Sequence, residues 1–207
     1  MKSLKNLAIA TTLLTVAAVS PAAADAAKPG QSMTHMKTAA GLSALLESAG
    51  VVLYVQGGAT SSVMGDSIAS ANGQHIFHIP VTGTKSGIQH VGSNIVFFNT
   101  VNNKQVQLKN PVIDLASGLI SAVVVQAENK SMPILTISNA AALKAEVSND
   151  RKVGTKATAY KSAALALAPG IGATLASLLG LPDGSLPEGA GFGSADVTIY
   201  SKISKKK

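Results

Sequence analysis

Cysteine and tryptophan are absent from this chain, and aromatic residues of every kind make up 3% of its 207 positions. Without cysteine there is no disulfide scaffold, no zinc–thiolate centre, no thiol nucleophile and no thioether lipid anchor. A single arginine, Arg151, and the scarcity of aromatics remove the basic stripe interleaved with stacking rings that nucleic-acid recognition requires. The ten acidic residues are scattered, so no pair stands out as the two carboxylates of a glycosidase. No G-x-S-x-G nucleophile turn occurs, and Gly191-Phe192-Gly193 precedes a strand pattern where a phosphate-cradling loop would precede a helix. Catalysis is therefore not expected.

What the chain does carry first is an export pattern. Lys2 and Lys5 precede an uncharged apolar run from Leu7 to Val19, followed by Ser20, Pro21 and the small residues Ala22, Ala23 and Ala24. This is the order of a secretory signal over residues 1–24, with cleavage expected before Asp25 or before Ala27. The apolar run is shorter than the roughly 20 residues of a membrane span. The later apolar stretches, Gly118 to Val125 and Ala163 to Ala168, have only strand length. The mature form is thus expected outside the cytoplasm, secreted or at the cell surface, and not membrane-spanning. Removal of Lys2 and Lys5 takes the formal charge from +7 to +5. Much of that surplus is Lys202 and the basic tail 204–207, which reads as a solvated end. Anionic envelope components are the electrostatic partners such a charge would favour.

About 180 residues remain after processing, enough for one domain with its own core. Residues 25–37 are small and polar and are expected to be flexible, and a single domain is expected over 38–203. Leu42, Leu45, Leu46 and Ala49 fall at helical spacing before Gly50, which predicts a short N-terminal helix. From there the pattern turns to β: Val51 to Val55, Gln74 to Val81 ending near Pro80, and a hairpin of Ile88 to Phe98 with Gln105 to Leu108 around the turn-forming Asn99, Asn102 and Asn103. Val112 to Leu115, Leu119 to Gln126 and Ile134 to Ile137 follow, the second of these apolar on both faces and so expected in mid-sheet. Residues 140–147 fit either a short helix or a strand.

Lys156 to Ala168 alternates as a strand. Pro169 then stands at a first helical position, and Ile171, Leu175, Leu178 and Leu179 form one stripe that Gly180 and Pro182 terminate. The last strand runs from Ala195 to Ile203. The expected fold is mainly β, an antiparallel sandwich or curved sheet of seven to ten strands, with a C-terminal helix at about 169–179 packed across it.

Histidine supplies the obvious metal ligands: His35, His75, His78 and His90. His75 and His78 are three apart, which on a strand places them on opposite faces and argues against joint coordination. Tyr54, Tyr160 and Tyr200 read as amphipathic sheet residues. His90, followed by Gly92, reads as a structural histidine held at a bulge.

The stretch IQHVGSNIVFF from Ile88 to Phe98 and the stretch VQLKNPVIDLASGLISAV from Val106 to Val123 resemble the middle of the HtaA domain, a β-rich module of secreted and surface proteins of bacterial haem uptake. SAALALAP from Ser162 to Pro169, the helix to Leu179 and GSADVTI from Gly193 to Ile199 resemble that family's closing strand, helix and strand. The similarity covers roughly Gly50 to Ile203. It implies a haem site in which a tyrosine near the start of the domain ligates iron and a histidine hydrogen-bonds that tyrosine, an arrangement that suits ferric iron. Tyr54 matches the tyrosine by position. The tryptophan that opens the family's first strand is missing, and Asn99 and Thr100 stand where the histidine would lie, so His90 is the substitute if the hairpin brings it beside Tyr54. Two readings follow: a non-enzymatic envelope or extracellular binding or structural protein on this scaffold, and a haem-binding protein. The low aromatic content favours the first, because haem slots are lined by bulky apolar side chains.

Overall fold

The computed structural model describes residues 31–65, 67 and 71–203. The expected signal sequence 1–24, residues 25–30 of the segment 25–37 and the tail 204–207 lie outside the described residues. Within them the order is β1 (Met33–Thr38), α1 (Leu42–Ser48), β2 (Val51–Gly57), β3 (Thr60–Met64), β4 (Gln74–Pro80), β5 (Ile88–Gln89), β6 (Ser93–Asn99), β7 (Gln105–Asp114), β8 (Leu119–Val124), β9 (Lys130–Ile137), β10 (Glu146–Asp150), β11 (Thr155–Leu167), α2 (Ile171–Leu179) and β12 (Gly191–Lys202). A single 3-10 turn at Ala140–Ala142 precedes β10, which resolves the ambiguity over 140–147 in favour of both.

All strands belong to one antiparallel sheet in the order β2-β6-β7-β8-β9-β11-β12-β1-β4-β3, with β5 beside β7 and β10 beside β11. The two ends of this path, β2 and β3, are consecutive in the chain, so the sheet curls into a nearly closed barrel with one seam. Inward residues alternate with outward ones. In β8 Ile120, Ala122 and Val124 are buried while Leu119, Ser121 and Val123 are half-exposed. The strand is internal, as expected, but only one of its faces is buried.

Twelve strands replace the expected seven to ten, and the differences have physical causes. β1 lies between β12 and β4, in the segment expected to be loose. Its inward positions Thr34 and Thr38 are 3% and 1% exposed, so polar side chains occupy sites where an apolar repeat would have announced a strand. Each threonine is satisfied there: the Thr38 hydroxyl accepts from the His75 backbone N–H at 2.9 Å, and Thr34 bonds His90. β3 is an exposed strand whose sequence TSSVM lacks alternation, and it is held by its ladder with β4. His90 to Gly92 interrupts the expected long strand, dividing it into β5 and β6.

α2 begins two residues after Pro169. Gly170, at φ 75°, precedes it and donates its N–H to Glu188 Oε1 at 2.9 Å. Gly180 ends it in the left-handed region at φ 67°, as the sequence predicts. Asn99 and Asn102 each donate a side-chain N–H to the Leu179 carbonyl at 2.9 Å, tying the helix C-terminus to the β6–β7 hairpin. Ile171, Leu175 and Leu179 are buried in the common core with Phe97, Val106 and Leu167. Full burial of such side chains contributes about 1.5–3 kcal/mol each, which a helix this short needs in order to persist.

The two ends of the barrel differ. α1, α2 and the Pro/Gly-rich segment 181–190 cover one end. The other is closed by residues 81–92 and by the β2–β3 turn, where the Gly58 N–H donates to the Gly92 carbonyl at 3.0 Å. No helix among the described residues is long and apolar enough to cross a membrane.

Candidate functional site

A cavity of about 290 Å³ opens at the helix-covered end. Three pieces of chain build its wall: residues 39–46 leading through α1, the segment 185–187, and residues 190–192 entering β12. Phe97 of β6, Leu167 at the end of β11 and Leu175 of α2 form its floor. The same three residues, with Phe192, line a residual space of about 10 Å³ against Ile95, Leu108, Ile134 and Leu135, so the barrel interior beneath is filled. Leu45 stands at the rim and is 58% exposed.

The chemistry of this cavity follows from its lining. Leucine, alanine, proline, glycine and phenylalanine dominate, Ser185 supplies a hydroxyl, and no charged side chain takes part. Its volume sits at the lower edge of the roughly 300–1,000 Å³ typical of small-molecule sites. Sequence periodicity could not reveal it, because the space lies between α1 and a strap whose prolines and glycines carry no repeat.

A second cleft of about 150 Å³ lies under α1 at the barrel seam, between β2 and the β3–β4 pair. Ser43, Glu47 and His75 face it beside Leu46, Val51, Leu53 and Val63. The Ser43 hydroxyl is buried and lacks a hydrogen-bond partner, and burial lowers the His75 pKa below 6.5.

The two residues matched to the haem site have separate surroundings. Val51 and Leu53 of β2 face the core, so Tyr54 lies on the opposite, outer face, paired in register with Val96 of β6. His90 is 1% exposed in the plugged end. Its Nδ1 lies 3.0 Å from the Pro111 carbonyl and its Nε2 2.7 Å from Thr34 Oγ1. A carbonyl only accepts, so Nδ1 carries the hydrogen and Nε2 accepts from the threonine hydroxyl. Burial lowers the His90 pKa, outweighing the Pro111 carbonyl, which raises it. Both ring nitrogens are thus engaged in structural bonds, and the cavity lining offers no tyrosine, histidine, methionine or cysteine to iron. Haem does not fit the donor set of this cavity.

The remaining histidines sort as the strand period dictates. His75 stacks on Phe77 at a ring separation of 5.5 Å on one face of β4, and His78 occupies the other. His78 meets His35 of β1, a pairing across strands that sequence spacing does not show. Ser62 Oγ lies 3.3 Å from His78 Nε2, long for a hydroxyl–imidazole bond and far from the tight contact of a poised nucleophile. Among the described residues no group of three or more histidine, cysteine or acidic side chains is gathered to hold a metal.

Searches of family models, curated proteins and solved structures return no match to this chain.

Proposed function

We propose that this is an exported, non-enzymatic binding protein on an HtaA-like scaffold, and that it holds a small apolar molecule or a single hydrocarbon chain under α1 and α2. The observation that carries the reading is the cavity of about 290 Å³, open at its rim and lined almost wholly by apolar side chains. Burying a ligand's apolar surface there contributes about 25 cal/mol per Å² before the cost of immobilisation. With no charge and few polar groups to orient a reacting bond, the lining favours capture over chemistry. The signal pattern at residues 1–24 supports export, and the quoted segments between Ile88 and Ile199 support the HtaA-like scaffold.

Titration of the purified protein with 1-anilinonaphthalene-8-sulfonate tests this. Blue-shifted fluorescence that a medium-chain fatty acid displaces at one site per chain is the expected result. A parallel titration with haemin should give no Soret band that depends on Tyr54. A band that appears with haemin and vanishes in Tyr54→Phe would move the function to haem binding.

A further inference from the structure

On the outer face of the barrel, away from the apolar cavity, two histidines meet across adjacent strands. His35 of β1 and His78 of β4 are direct partners in the antiparallel register, so their side chains emerge side by side on one face. Their Nδ1 atoms are 2.8 Å apart, with ring centroids at 4.9 Å and planes at 83°. Two neutral imidazoles hold such a contact by sharing one hydrogen. One Nδ1 therefore donates its hydrogen and the other accepts it, and Ser62 Oγ lies 3.3 Å from the other nitrogen of His78, Nε2.

We propose that His35 and His78 form a two-nitrogen chelate for a divalent transition-metal ion, Cu(II) foremost. Imidazole nitrogens bind such ions at about 2.0–2.1 Å, so two of them at a right angle stand about 2.9 Å apart, and at a tetrahedral angle about 3.3–3.4 Å apart. The 2.8 Å set by the hydrogen bond is close to the right-angled edge, so the two nitrogens need to move less for a tetragonal Cu(II) ion than for a tetrahedral zinc. Copper also heads the affinity order for nitrogen ligands. Ser62 Oγ stands beside His78 Nε2, the nitrogen that does not bind, where outer partners of ligating imidazoles are found.

Binding requires only that both rings carry their hydrogen on Nε2, which frees both Nδ1 lone pairs with no net change in protonation. Asp196 of β12 stands opposite His35 in register and contributes favourable negative charge, and Lys161 opposes it. Water completes the coordination. His75, on the reverse face of β4, takes no part.

Titration of the purified chain with cupric sulfate near neutral pH, followed by calorimetry and electron paramagnetic resonance, tests the site. One ion per chain with superhyperfine splitting from two nitrogens is expected. His35→Gln and His78→Gln should each weaken binding at least tenfold, Asp196→Asn severalfold, and His75→Gln not at all. Urea midpoints measured on the same variants separate loss of ligand from loss of fold. Unchanged Cu(II) affinity in the folded His35→Gln/His78→Gln double variant would overturn the proposal, as would equal weakening by His75→Gln.

Discussion

Thr34 and His90, 56 residues apart in sequence, meet inside the plugged end of the barrel with Thr34 Oγ1 at 2.7 Å from His90 Nε2. The bond joins β1 to the segment preceding β6, and through His90 Nδ1 to the Pro111 carbonyl it reaches β7. Strands on different sides of the barrel are thereby linked through one imidazole.

Because all three groups are buried, removing one member strands the others. Thr34→Val keeps the shape and deletes the donor to Nε2, and it should lower stability by about 1–3 kcal/mol. His90→Leu strands both the Thr34 hydroxyl and the Pro111 carbonyl and should cost at least as much. The double variant should be less destabilised than the sum of the singles, since the two changes act on one network. Urea unfolding followed by circular dichroism reads all three, and strict additivity would show that the contact carries no coupling.

The same imidazole sets a pH dependence. Burial holds the His90 pKa below 6.5, and burial does likewise at His35, His75 and His78. Well above pH 6.5 these groups are neutral in both folded and unfolded chains and contribute no pH dependence. Below it the unfolded chain binds protons that the folded chain refuses, so the unfolded state is favoured and stability falls as pH drops towards the folded-state values. The urea midpoint should therefore be flat from about pH 8 to 7 and decline from about pH 6.5 downward, with a shallower decline in His90→Leu. A midpoint that rises on acidification through this range would contradict the burial of these rings.

Much of the architecture was legible where apolar residues follow a single period. The α2 stripe of Ile171, Leu175 and Leu179 and the hairpin around Asn99 and Asn103 read directly, and Asn103 adopts φ 60°, the left-handed conformation asparagine tolerates. β1 was hidden because its inward Thr34 and Thr38 take their partners from residues far along the chain, which no local window contains. The His35–His78 pair was hidden for the same reason: it exists only through the β1–β4 register. The cavity is a property of the space between elements, so no residue pattern could announce it.

Gly172 tests how closely the strap over the cavity lies on α2. In an exposed helix interior, glycine to alanine gains up to about 1 kcal/mol from propensity. Here a Cβ at position 172 would run into the Leu186 backbone carbonyl, and neither the helix nor the strap can yield without a backbone shift. Gly172→Ala should therefore reverse the usual sign, lower stability by about 1–3 kcal/mol and weaken capture of the fluorescent probe. A raised melting temperature would show that residues 185–187 do not rest on α2.

Leu45 separates ligand capture from folding. It lines the cavity yet is 58% exposed, so a charge placed there faces water in the empty protein. Leu45→Asp should leave the unfolding free energy from urea titration within about 0.5 kcal/mol of the parent, as surface substitutions usually do. An apolar ligand entering past the rim would strip water from that carboxylate with no cation among the lining residues to compensate. Loss of roughly tenfold in probe affinity, about 1.4 kcal/mol, is the expected result of a fluorescence titration. Leu45→Met, which keeps the apolar contact, should bind as the parent does. Equal affinity in the aspartate variant would place the probe elsewhere on the molecule and remove the cavity from the account of function.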